Sequence, residues 1–93
     1  MNAPDSAFAF DADVARAADV PGVSAPNPAG LSGVEVARAA RRAGELAASL
    51  EVVEINPRFD VDGRSARWAA LVVWEFLAGL ARKRAAEARP SRA

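Results

Sequence analysis

The 93-residue sequence contains no histidine and no cysteine. Without histidine, a serine–histidine triad, an imidazole general base and every histidine-containing metal set are excluded within this chain. Without cysteine there is no disulfide framework, thiolate zinc site or cysteine nucleophile, and a reducing, cytoplasmic setting is the default expectation. Net charge is missing too: twelve basic and twelve acidic residues cancel, so the balance points to no nucleic acid, membrane surface or polyanionic substrate. The opening Met1-Asn2-Ala3-Pro4-Asp5 has no basic cluster followed by an apolar core, and no secretory signal is expected. The chemistry left to these residues runs through carboxylates, hydroxyls, arginines and backbone groups.

What is present is a composition of 52% apolar residues, rich in alanine, valine and leucine, which favours a packed, helix-rich core over disorder. A chain this short forms at most one small domain, burying roughly 60% of the surface its unfolded form exposes, so marginal stability is expected.

Residues 7–13, Ala-Phe-Ala-Phe-Asp-Ala-Asp, read as a short buried strand ending in two carboxylates. Residues 20–33 carry Pro21, Gly22, Pro26, Asn27, Pro28, Gly30 and Gly33 and must form a long loop. Ser32 and Glu35 match a capping box opening a helix over 34–50, with Val34, Ala37, Leu46 and Leu50 toward a core and Arg38, Arg41, Arg42 and Glu45 toward water. The β-branched run 50–55 reads as a second strand, stopped by Asn56-Pro57. After a turn at 60–63, with Asp62 a candidate cap, a helix runs from Arg64 into the 82–84 region. Between Trp68 and Leu80 its one charge is Glu75. A helix so apolar wants protein around it, and it is shorter than the roughly 20 residues a bilayer requires.

The reading is therefore α/β: a disordered start over 1–6, a partial domain over 7–81 and a basic flexible tail over 82–93. A strand, a helix and a second strand with so long a connection favour a parallel crossover. Two parallel strands alone leave edges and faces open, so the chain reads as part of a larger sheet, with a missing segment, a complementary chain or further copies of itself as partners.

Asp11 and Asp13 stand two apart, on one face of a strand at its C-terminal end, and Glu54 ends the second strand at the same edge, where ligands of open α/β sheets bind. Hard cations take about six oxygen ligands, of which Asp-x-Asp supplies a part. The alternative is that Asp13 caps a turn over 14–18, Asp11 is solvated, and Glu54 pairs with Arg58 or Arg64.

The strings Phe10-Asp11-Ala12-Asp13, Val20-Pro21-Gly22-Val23-Ser24-Ala25-Pro26, Val53-Glu54-Ile55-Asn56-Pro57 and Asp60-Val61-Asp62-Gly63-Arg64-Ser65-Ala66, in that order between Phe8 and Gly79, resemble the C-terminal end of the arginase, agmatinase and formimidoylglutamase (ureohydrolase) superfamily. The loop and the Asp-Gly-Arg segment are most similar to formimidoylglutamase and its bacterial relatives. The resemblance implies the C-terminal β-α-β-α portion of a parallel-sheet, three-layer fold. It also implies a binuclear manganese hydrolase of linear amidines, in which a metal-bridging hydroxide attacks a guanidino or formimino carbon and urea or formamide leaves. By the same resemblance Asp11 bridges both manganese ions, Asp13 ligates one, Glu54 pairs with the cationic end of the substrate, and the 21–28 loop lines the entrance with Ser24 and Asn27. Those two also fit as plain turn residues.

Two departures stand out. Ala9 occupies a position where the family usually has serine, which loosens the surroundings of the metal. The family's histidine-bearing motifs lie upstream of this region, so most of the implied ligand set is absent and no turnover is expected from these residues alone. A rival reading is a non-catalytic interaction module offering Trp68, Trp74 and Phe76 to a partner, although ordinary core explains such aromatics as well. A nucleic-acid role for Arg82, Lys83, Arg84, Arg89 and Arg92 lacks the interleaved aromatic or glycine pattern such sites use.

Overall fold

A computed structural model describes residues 7–89. In chain order it contains strand β1 (Ala7–Asp11), a 3-10 turn (Ala12–Val14), helix α1 (Gly33–Leu46), strand β2 (Ser49–Val53), a second 3-10 turn (Pro57–Phe59) and helix α2 (Arg64–Glu87). The strands pair in parallel, in register from Ala7 opposite Ser49 to Asp11 opposite Val53. The fold is the α/β arrangement expected, with α1 as the crossover.

Helix α1 begins as its sequence dictates. Ser32 Oγ accepts the Glu35 amide and Glu35 Oε1 accepts the Ser32 amide, each at 3.1 Å, so two of the four orphan donors of a helix start are satisfied reciprocally. A third goes to Asp19, whose carboxylate accepts the Gly33 amide at 2.8 Å. The buried face differs in part from expectation, Ala37 being buried as expected. Val36, Ala37, Ala40 and Ala43 are buried, whereas Val34 and Leu46 are 56% and 42% exposed. Small residues set the face because α2 comes in close: a methyl group on Gly44 would run into the Phe76 carbonyl oxygen, and one on Gly79 into that of Arg41. Bulk at these crossing points would hold the helices apart, so the larger side chains flank the contact.

Helix α2 buries the stripe Trp68, Val72, Phe76 and Gly79, spaced as one helical face demands. Trp68 Nε1 donates to the Gly33 carbonyl at 3.1 Å, satisfying a buried indole. The opposite face is open: Leu71, Val73, Trp74 and Leu77 are exposed, Trp74 by 68%. Asp62, the expected cap, accepts the Arg64 amide at 3.3 Å through Oδ1. Left-handed Gly63 is the N-cap and makes no side-chain hydrogen bond. Asp60 instead accepts the Ser65 and Ala66 amides at 2.9 and 3.1 Å. Helix α2 continues to Glu87, past Arg82 where a flexible tail was expected. The rest of that tail, 90–93, and the start, 1–6, lie outside the described residues.

The core gathers Ala12, Ala15, Val20, Val23, Val36, Ala40, Trp68 and Val72, with Phe10, Leu50 and Val52 of the sheet packed against it. Apart from half-buried Phe10, β1 is exposed along its length, and among the described residues β2 is its one strand neighbour. No helix of the described residues is long and apolar enough to cross a membrane.

Candidate metal and substrate site

Strand β1 stops at Asp11, two residues earlier than the sequence suggests. Buried Ala12 starts a 3-10 turn, and Asp11 caps it by accepting the Asp13 amide at 3.2 Å. The expectation that both aspartates project from one strand face is thereby corrected, since Asp13 sits in the turn. The two residues nevertheless stay together, through the Asp13 amide on Asp11 Oδ1. Asp13 is raised above the usual carboxylate range, first by a hydrogen bond with Asp11, then by desolvation, then by the negative charges of Asp11 and Glu54.

Glu54 comes into range because of the parallel register. Asp11 lies opposite Val53, so the next residue along β2 emerges at the same carboxyl edge of the sheet. Its backbone there is left-handed, with φ of 69°, a conformation that costs a non-glycine residue about 1–2 kcal/mol and persists where its surroundings hold it. Those surroundings are the 21–26 loop. Val23 bridges to Ile55 in the antiparallel sense. The Asn56 amide donates to the Gly22 carbonyl at 2.6 Å, and Asn56 Nδ2 donates to Ser24 Oγ at 2.9 Å. The alternative partnership of Glu54 with Arg64 is not formed. The Arg64 guanidinium turns to Asp62 at 3.0 Å and to the Ala18 carbonyl at 3.3 Å.

Ser24 is thus exposed and tethered two residues past Glu54. Asn27 is placed differently. Its Oδ1 accepts the Ala29 amide at 3.0 Å and its carbonyl accepts the Ala17 amide at 2.8 Å, which is a turn-forming use of the side chain. The structure brings Asp11, Asp13 and Glu54 within electrostatic reach of one another and ties Ser24 to the same edge, while Asn27 is anchored to the segment after β1. Two participants escaped the sequence reading. The sequence marks Asn56 only as the stop signal of a strand, and Ser65 only as part of the 60–66 string.

As a metal centre the cluster is partial. Asp11 and Asp13 present carboxylate oxygens, the donors that manganese and similar hard cations prefer, and no cationic side chain is among the influences on Asp13. Crowded carboxylates of this kind fit a divalent cation. Among the described residues, however, no three His, Cys, Asp or Glu side chains converge well enough to hold one.

Comparison with known proteins gives a consistent picture. The model of the Arginase family matches residues 6–79. The formimidoylglutamase of Citrobacter koseri is 44% identical over 73 residues, a match covering 75% of this chain and 23% of the relative. That of Klebsiella aerogenes is 41% identical over 70 residues, covering 72% of this chain and 31% of the relative. The chain therefore spans about a quarter to a third of the length of the curated relatives it matches. Among solved structures, formimidoylglutamase from Bacillus subtilis superposes with a TM-score of 0.78 at 29% identity, covering 82% of this chain and 24% of that one. Formiminoglutamase from Trypanosoma cruzi with Mn2+ does so with a TM-score of 0.78 at 31% identity, covering 94% of this chain and 28% of that one.

Proposed function

The chain belongs to the arginase family, and from that premise we propose that it is the carboxylate-bearing C-terminal portion of a formimidoylglutamase-like amidine hydrolase, inactive by itself. The observation that carries the proposal is the parallel register that puts Asp11 opposite Val53, so that Glu54 emerges at the same carboxyl edge, with Asp13 in the turn that Asp11 caps. Asp11 and Asp13 would hold manganese, which when bound would supply a water of lowered pKa and polarise the amidine. Glu54 faces the cationic end of the substrate, where a carboxylate and an amidinium form charge-assisted hydrogen bonds. Ser24 Oγ accepts from Asn56, which leaves its hydroxyl hydrogen to donate to a polar group of the substrate. Asn27 lines the same loop, with its side-chain oxygen engaged by the turn.

The remaining ligands come from polypeptide outside these 93 residues, either an N-terminal segment of the same enzyme or a complementary chain, in the cytoplasm. Support comes from the exposed strand β1 and from a groove of about 290 Å³ lined by Ala9, Phe10, Val14, Leu31 and Val36 with Asp11 at its edge. A second reading, an interaction module that keeps part of the fold, is favoured by the exposed Trp74 and Leu77.

The test is to co-express the chain with the part of the Citrobacter koseri relative that precedes the matched segment, and to assay formamide release from formimidoylglutamate with manganese. Neither piece alone should turn over, and the pair should, with Asp11→Asn abolishing it. Turnover by the chain alone, or a co-purified pair without turnover, overturns the proposal.

A further inference from the structure

We infer that Asn56 is a positioning residue: its side-chain amide clamps the 21–26 loop onto the turn at Glu54 and holds that glutamate in its left-handed conformation. The inference rests on the reading of Glu54 as the residue facing the substrate. Glu54 has φ of 69°, and nothing in its own side chain favours that region, which asparagine, aspartate and glycine adopt more readily. The restraint is therefore external: strand pairing holds Val53 on one side, and on the other Ile55 and Asn56 are tied to the 21–26 loop.

The Asn56 carboxamide works at both ends. Its Oδ1 accepts the Arg58 amide at 3.1 Å and caps the 3-10 turn. Its Nδ2 reaches Ser24 Oγ at 2.9 Å, across 32 positions of sequence, while its backbone amide holds the Gly22 carbonyl. The loop in turn cannot drift. Val23 is buried, and the Gly22 amide is fixed to buried Ser65 Oγ at 2.8 Å. Ser65 is itself anchored, through its amide, to Asp60 at the start of α2. The clamp therefore joins an immobile loop to the one residue at this edge whose backbone needs restraint.

Asn56→Asp retains the shape and the acceptor for Arg58 and removes the donor to Ser24. Ser24→Ala removes the same hydrogen bond from an exposed position, so it stays informative if the first variant does not fold, and Ser24→Thr retains the acceptor. The readout is NMR of the 93-residue chain labelled at Glu54. A strong intraresidue amide–Hα cross-peak, the signature of positive φ, is expected in the unaltered chain and in Ser24→Thr. In Asn56→Asp and Ser24→Ala it should weaken, with amide exchange at residue 56 at least about tenfold faster. An unchanged cross-peak and exchange rate in both variants overturns the clamp.

In the co-expressed enzyme Asn56→Asp should raise KM for the amidine more than it lowers kcat, because Glu54 still contacts the substrate but is no longer held in place; Ser24→Ala, which also removes the hydroxyl that meets the substrate, is read by NMR alone. If the NMR change occurs and KM does not move, the clamp stands and the substrate-facing role of Glu54 fails. The two ideas are thereby separated.

Discussion

Ser65 Oγ accepts the Gly22 amide at 2.8 Å inside the protein, joining the start of α2 to a loop 43 positions earlier. Ser65 is fully buried, and a methyl group on Gly22 would press on it, so loop and helix meet closely at this bond. Ser65→Ala strands a buried amide and should destabilise the fold by about 1–3 kcal/mol. A lowered urea midpoint with an unchanged slope checks it, and an unchanged midpoint would show that the loop relaxes to find water.

The helix pair depends on Gly44 and Gly79, each lying against the backbone of the other helix near Phe76 and Arg41. Alanine is the better helix former at both sites by about 1 kcal/mol, yet its methyl group would force the helices apart. Gly44→Ala and Gly79→Ala should each destabilise by about 1–3 kcal/mol, the cost of overpacking a close contact. The sign of the change in thermal midpoint decides between propensity and packing.

Acid sensitivity follows from Asp60 and Asp19. Asp60 is held below its ordinary value, first by the Ser65 amide, and Asp19 first by the Gly33 amide, then by Arg16. A depressed carboxylate contributes stability that is fully present above its unfolded value near 3.8 and is lost as pH falls through the folded value. Asp13 has the opposite sign: being raised, it contributes strain at neutral pH that protonation relieves. The unfolding midpoint should fall as pH drops below about 4. Asp60→Asn should flatten that dependence, and an equally steep acid transition in the variant would remove Asp60 from the account.

The strand, helix, strand, helix order and the capping box at Ser32 and Glu35 were legible in the sequence because they rest on local signals: β-branched runs, proline and glycine punctuation, and a cap four residues long. The buried face of α1 was legible only in part, at Ala37. Hydropathy favours Val34 and Leu46, but close approach by α2 selects Ala37, Ala40, Ala43 and Gly44, a tertiary demand invisible to a single helix. At the site, the spacing of Asp11 and Asp13 pointed to a shared location for a reason that does not hold, since the strand ends between them. The left-handed backbone of Glu54 and its support by Asn56 depend on a loop more than 30 positions away, and no local pattern encodes that.

The open face of α2 bears on assembly. Trp74 is 68% exposed while Trp68 is 6% exposed, so the two report different environments. With apolar surface so placed, the chain alone should self-associate at micromolar concentration. Trp74→Ser should reduce that association while leaving Trp68 buried. A chain that stays monomeric in sedimentation, with Trp74 emission unchanged on dilution, contradicts the expectation.

The central claim is that these residues supply one part of a binuclear manganese site whose other ligands lie elsewhere. It is tested most directly by electron paramagnetic resonance of Mn2+ added to the chain alone and to the chain co-purified with the preceding portion of a formimidoylglutamase. With about two oxygen ligands of its own, the chain should bind manganese weakly and give the spectrum of an isolated, largely hydrated ion. The complex should give the signature of a spin-coupled pair, lost in Asp11→Asn. Submicromolar binding by the chain alone, or a complex in which no coupled pair forms, would contradict the account.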